Sequence, residues 1–201
     1  MKRFAVVLVA VVSLCPVSAF ARPWTRSYVV DERIAALRTE PRLTATVAKR
    51  LRTGRMVAIV SRTRDANGLS WVRVAVTRRT RGWLLELAIA APADRAGNVR
   101  LADMLDTTTG YERLRLSRLA LDHFPRLGAA GLAAFREESA AAATLLSRRL
   151  AARDDLPTGC SAAVLRAFLL SDPLLDRYSR LGVAFDVDSM TRTVTARPVA
   201  R

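Results

Sequence analysis

Between residues 33 and 91 apolar and polar positions alternate in short runs, and turn-forming residues separate the runs. Leu37-Arg38 leads into a turn at Glu40-Pro41. Further runs follow at 47–51, 56–61 and 70–77, with breaks at Thr53-Gly54 and Asp65-Ala66-Asn67-Gly68. The run at 70–77 carries Trp71, Val72, Val74 and Val76, Arg81-Gly82-Trp83-Leu84 opens another, and 87–90 closes the set. Asn67-Gly68 between two β-branched runs is a strong hairpin signal, because both residues tolerate the positive φ such turns need. Short strands at close, even spacing predict a small barrel or sandwich and argue against a parallel α/β sheet.

The period changes after Ala91. Residues 92–98, with Pro92, Asp94, Gly97 and Asn98, read as a linker. A short helix is predicted at 99–105 and a second at 111–124, where Leu114, Leu116, Leu119, Ala120 and Leu121 are spaced to bury one side. Pro125 stops it, since proline lacks the amide and restricts the residue before it. The longest helix is expected at 129–153, rich in Ala, Leu, Glu and Arg, with Glu137 and Glu138 N-terminal and Arg148, Arg149 and Arg153 C-terminal, as the helix dipole favours. Helices at 161–171 and 174–181 are broken by Asp172-Pro173. Alternation returns at 183–188 and 192–196, which predicts a terminal β-hairpin turning at 189–191.

The order of pieces in the first half resembles the bacterial SH3-like (SH3b) domain: Leu37-Arg38, the step from Arg50-Leu51-Arg52-Thr53-Gly54 into Met56-Val57-Ala58-Ile59, Trp71-x-x-Val74 and Gly82-Trp83-Leu84. The resemblance covers under a third of the chain. It implies a binding module, often on exported proteins, for a cell-wall peptide or a protein partner. Leu121-Asp122-His123-Phe124-Pro125 before an Ala-rich helix resembles one tetratricopeptide-type helical pair. No second copy is evident, and such repeats need neighbours to bury their faces, so an ordinary helical hairpin is the favoured reading.

Charge and export alter this picture. Met1-Lys2-Arg3, an apolar run at 4–14 too short to span a bilayer, and small residues up to Ala21 read as a secretory signal peptide, 1–21. An exported, periplasmic or extracellular protein is expected, with no membrane span after cleavage. Residues 22–95 hold 16 basic and 6 acidic residues, and residues 96–201 hold 15 and 12, so the positive charge concentrates in the β-rich half. Such a block attracts anionic partners. On an exported chain these are envelope polymers or acidic proteins, and nucleic acid is not expected.

Little in the chain points to catalysis. His123 is the only histidine, and His-Glu-x-x-His, Cys-x-x-Cys, a Gly-rich phosphate loop and Gly-x-Ser-x-Gly are all missing. Cys160 remains once the signal is removed. It opens a helix as Gly159-Cys160-Ser161, superficially as in the NlpC-type cysteine peptidases that often accompany SH3-like domains. The flanking Asp and Gly of that family are missing, and no later histidine exists to activate the thiol. Glu137-Glu138 and Asp154-Asp155 read as solvated faces. Asp186 and Asp188, with Asp172 or Asp176, lack the glycine and terminal glutamate of a calcium loop. Neither metal nor cofactor is expected.

The fold class expected is therefore α+β: a small N-terminal SH3-like β-barrel (33–91) after a lead-in (22–32), then a helical domain (99–181) and a terminal β-hairpin (182–201). The function expected is non-enzymatic binding of a cell-wall peptide or envelope protein. The candidate contact residues are Trp71, Arg73, Arg78, Arg79, Arg81 and Trp83, with core burial as the competing role of both tryptophans. A general polyanion binder is the alternative, and a cysteine peptidase using Cys160 a more distant one.

Overall fold

The structure, a computed structural model, describes residues 24–153, 156 and 160–199. The expected signal peptide lies outside the described residues. The chain is α+β. Its β part is one antiparallel seven-stranded sheet in the order β3-β2-β6-β5-β4-β1-β7, built from β1 (Thr25–Val29), β2 (Ala36–Arg38), β3 (Val47–Arg50), β4 (Met56–Arg64), β5 (Ser70–Ala75), β6 (Arg81–Leu85) and β7 (Ile89–Ala90). Five helices follow, α1 (Arg95–Thr107), α2 (Gly110–His123), α3 (Gly128–Ala151), α4 (Ala162–Leu170) and α5 (Pro173–Arg180), and then a hairpin of β8 (Val183–Asp188) and β9 (Thr193–Pro198).

Strands 2 to 6 fall where alternation predicts them, but the closed barrel does not form among the described residues, since the outer strands β3 and β7 do not pair with each other. Every residue of β3 is exposed, and Lys49 and Arg50 on it discourage further strand pairing. The segment read as a lead-in, 22–32, holds β1. This strand pairs with β4 on one side and β7 on the other, and buries Ser27, Tyr28, Val29 and the following Val30. Burial on both faces removes the alternation by which a half-exposed strand is recognised. Of the expected strand at 87–90 only Ile89–Ala90 pairs. Glu86–Ala88 form a 3-10 turn, whose Glu86 carbonyl accepts a 2.8 Å hydrogen bond from Arg100.

The hairpin turn also differs in detail. Gly68 alone takes positive φ, and its amide donates to the Asp65 carbonyl at 3.0 Å. The register of β4 shifts at Val60, so Ile59 opposes Val74 while Ser61 opposes Arg73. That extra residue turns the rest of β4 over and breaks its alternation.

Three apolar clusters hold the molecule. Val29, Leu37, Val57, Ile59, Val72, Val74, Leu84 and Ile89 fill one side of the sheet. Tyr28, Val30 and Ala90 join Leu101, Leu105, Leu116, Leu119 and Phe124 in a second cluster, so α1 and α2 cover the β1–β7 end of the opposite side. Leu114, Phe135, Leu146, Leu150, Leu165, Tyr178, Phe185 and Val194 make a third, where α3, α4 and α5 pack on the terminal hairpin. The expected linker takes part in this packing: Asp94 caps α1, and the Asn98 amide donates to the carbonyls of Pro92 (2.9 Å) and Asp94 (2.7 Å). Gly97, read as linker, lies inside α1 because a Cβ there would fall 2.6 Å from the Ala91 backbone.

A polar latch joins sheet and helices. The Arg115 guanidinium on α2 donates to Glu32 (2.9 Å), Glu112 (3.0 Å) and the Thr53 carbonyl (2.7 Å). The Thr53 hydroxyl donates to Glu112, and its amide to Glu32. Burial pushes the Glu32 carboxyl up, but the hydrogen bonds from Arg115 and the Thr53 amide outweigh it and hold the group below the ordinary glutamate range.

Two outcomes follow. Folding makes Glu32 more acidic, so its contribution is complete above the ordinary glutamate range and lost as pH falls below it. Urea unfolding followed from pH 7 to 3 is expected to show an acid-dependent loss of stability that is smaller in Glu32→Gln; an unchanged profile contradicts the latch. At Gly82 an added Cβ would lie 2.7 Å from Leu37 Cγ and 2.8 Å from the Arg38 carbonyl. Gly82→Ala is therefore expected to cost about 1–3 kcal/mol, whereas Gly128→Ala, helical and with open space around it, is expected to be neutral or stabilising. Equal effects would contradict this packing.

Candidate functional site

The register of the sheet sets which candidate residues share a face, since directly opposed residues project to the same side. One row across the sheet runs Arg38–Trp83–Arg73–Ser61. The next runs Arg81–Ala75–Ala58–Arg26. Three predicted contact residues, Arg73, Arg81 and Trp83, thus meet on the outer face, beside the region covered by α1 and α2. Arg73 and Arg81 are exposed and Trp83 is half-buried. Arg78 and Arg79 sit exposed at the tip of the β5–β6 turn. There the Thr77 hydroxyl accepts from the amides of Arg79 (3.3 Å) and Thr80 (2.9 Å), and the short polar side chain closes the turn on itself.

Trp71 is different. It is completely buried, between Thr63 and Leu85 in register, and its indole N–H donates to Asp65 Oδ2 at 2.9 Å. Asp65 Oδ1 accepts from the amides of Asn67 (2.9 Å) and Leu69 (3.0 Å). The indole hydrogen bond, reinforced by these amides against the cost of burial, lowers the Asp65 carboxyl. Trp71 therefore ties the strand to its own hairpin turn and offers no surface to a ligand. The predicted contact role does not hold for it.

Two further candidate residues lie in the segment read as a lead-in. Trp24 is 58% exposed at the start of β1, and Arg26 occupies the end of the second row. Met56, 51% exposed at the start of β4, adjoins them. Trp24, Arg26, Met56, Ala58, Ala75 and Arg78 line a groove of about 260 Å³. An exposed tryptophan next to an arginine was the available signal, but without a recognised strand nothing placed the pair beside β5 and β6.

Charge on this face is not balanced. Residues 24–91 contain five carboxylates, and each is engaged elsewhere. Asp31 holds Arg33 (2.9 Å), Glu40 holds Arg42 (2.7 Å), Glu86 holds Arg62 (3.1 Å) and Glu32 holds Arg115 (2.9 Å), while Asp65 receives Trp71. Among the described residues Arg26, Arg73, Arg78, Arg79 and Arg81 form no ion pair. Arg73 and Arg81 on the face and Arg78 and Arg79 at the turn create a positive potential, while Arg26 shares a pocket with Asp122 of α2, whose carboxylate is held by Arg118 at 3.0 Å.

The other candidates scatter. Cys160 is half-buried against the C-terminal cluster, and Ser161 caps α4 by accepting from the Val164 amide. Gly159 lies outside the described residues. The His123 ring, exposed, stacks on Tyr28, centroids 4.3 Å apart, at the sheet–helix junction, whereas Cys160 packs on the C-terminal cluster. Asp186 pairs with Arg197 (2.8 Å), Asp172 with Arg149 (2.6 Å) and Asp176 with Arg180 (2.8 Å), and Asp188 accepts the Met190 amide of its own turn. None of these carboxylates is brought to a shared point, and no group of metal-ligating side chains occurs among the described residues. Compared with protein-family models, with curated proteins and with solved structures, the chain matches none.

Asp65→Ala strips the buried Trp71 indole of its acceptor, and the thermal midpoint is expected to fall by several degrees. Arg73→Gln, on the outer face, is expected to leave the midpoint within about 2 °C. If the two variants melt alike, Trp71 is not the anchor described.

Proposed function

We propose that the chain is an exported, non-enzymatic protein of the cell envelope whose sheet is an SH3-like binding module, and that the outer face of β5 and β6 meets a wall peptide or protein partner. The observation that carries this reading is the set of unpaired arginines 73, 78, 79 and 81 on the strands and turn that hold the half-buried Trp83, with Arg26 across the sheet on β1. Desolvated arginine beside an aromatic is the composition from which strong contact surfaces are built. The SH3-like assignment is supported by where the motif pieces fall. Leu37-Arg38 lies on β2, Trp71-x-x-Val74 on β5 and Gly82-Trp83-Leu84 on β6, and Gly82 admits β2 at a distance no side chain allows.

The same arginines suit a polyanion binder, and salt separates the two readings. Contacts between exposed charges are screened within about 3 Å at 1 M salt, whereas a site that also buries apolar surface keeps part of its affinity. Purified protein incubated with purified peptidoglycan at low and high salt is expected to be retained under both conditions, and Arg73→Gln/Arg79→Gln is expected to weaken retention at least about tenfold. Complete release at high salt supports the polyanion reading, and absence of retention even at low salt removes the wall as partner.

A further inference from the structure

We propose that the groove beneath Trp24 is a recognition site for an extended acidic peptide in which one apolar side chain is flanked, two residues away on each side, by carboxylates. This deepens the reading above and rests on it. The row Arg81–Ala75–Ala58–Arg26 places two methyl side chains in the middle of the sheet face and a guanidinium at each end. Ala58 and Ala75 are the floor of a trough, walled by the exposed Trp24 and Met56 and rimmed at the β5–β6 turn by Arg78.

The dimensions select the peptide. Neighbouring strands lie about 4.8 Å apart, so the two end positions of the row are separated by about 14 Å of backbone. An extended peptide rises about 3.3 Å per residue and projects residues i, i+2 and i+4 to one side. Carboxylates at i and i+4 therefore match the two guanidiniums, and the side chain at i+2 falls over the alanines. Arginine holds a carboxylate through paired N–H donors, which adds orientation to attraction. Within the sheet the charge complement is unmet, because the five carboxylates of residues 24–91 are all engaged elsewhere, and Asp122 of α2, which shares a pocket with Arg26, is held by Arg118 at 3.0 Å. A polyphosphate or polysaccharide acid would satisfy the arginines but leave the apolar floor and the exposed Trp24 and Met56 in water. The pairing of the two features favours a peptide.

The test uses a fluorescein-labelled heptapeptide, Gly-Asp-Ser-Leu-Ser-Asp-Gly with blocked ends, titrated against the purified protein and read by anisotropy. Control peptides replace Leu by Gly, replace both Asp by Asn, or cluster the acids as Gly-Asp-Asp-Ser-Ser-Leu-Gly. The Leu peptide is expected to bind about tenfold or more tightly than the Gly control, and more tightly than the clustered and Asn controls. Trp24→Ala and Met56→Ser, both at exposed positions, are expected to erase the preference for Leu over Gly, and Arg26→Gln or Arg81→Gln to weaken both peptides. Equal affinity for the Leu, Gly and clustered peptides overturns the proposal, as does a preference that survives Trp24→Ala, full competition by polyglutamate, or no saturable binding. Retention on peptidoglycan separates the two levels. If the parent and the double variant Trp24→Ala/Met56→Ser are retained alike while the peptides show no preference, the groove assignment falls and the broader binding role stands; if the peptides show no preference and the parent itself is not retained even at low salt, the groove assignment falls and the wall is removed as partner as well.

Discussion

The two-sided burial of β1 is the constraint on which the rest of the molecule depends. Val29 points into the sheet core, while Tyr28 and Val30 point into the cluster formed with α1 and α2. Its edges are occupied too, by β4 and β7. One strand of five residues therefore joins two cores that would otherwise be separate, and it does so with side chains that alternate between them. The Arg115 latch adds a polar tie from α2 to the adjoining loops that follow β1 and precede β4. Because α1 and α2 cover the β1–β7 end, Arg73, Arg81 and the groove beside Trp24 stay exposed on the outer face, and the candidate site is what this partial covering leaves.

That open face carries its charge at a cost. Like-charged guanidiniums repel one another, and no carboxylate among the described residues of the sheet offsets them. The unit tolerates this because its apolar core lies on the other side, and because its acids are used to close turns and secure loops. Asp65 clamps Trp71, and Glu32 fastens the sheet to α2. Arginines left without counter-charge in this way are the physical basis of the binding role proposed.

Legibility followed burial. Strands with one buried face, β6 above all, alternate and are visible in sequence, and so are the helices whose leucines recur with helical spacing. The strand buried on both faces is not, because Ser27-Tyr28-Val29-Val30 carries no alternation and is too short to stand out. The same blindness hid Trp24 and Arg26, which only the register of β1 against β4 brings beside Ala75 and Arg81. The placement of Arg73, Arg81 and Trp83 on neighbouring strands and of Arg78 and Arg79 in the turn between them was legible, because turn and strand chemistry set it locally. Trp71 was misassigned as a contact because sequence spacing does not reveal an acceptor. Its partner Asp65 sits in the hairpin turn and draws the indole inward. Gly97 misled in the opposite sense: a glycine that marks a linker by composition serves here as a close contact between α1 and Ala91.

The central claim, that the outer face of the sheet is the contact surface, is tested most directly by hydrogen exchange on the purified protein with and without soluble peptidoglycan fragments. The account predicts added protection in β1, at the start of β4 and through the β5–β6 turn, with α3, α4 and the terminal hairpin unchanged. Protection confined to α4 around Cys160, or to the terminal hairpin, would contradict it.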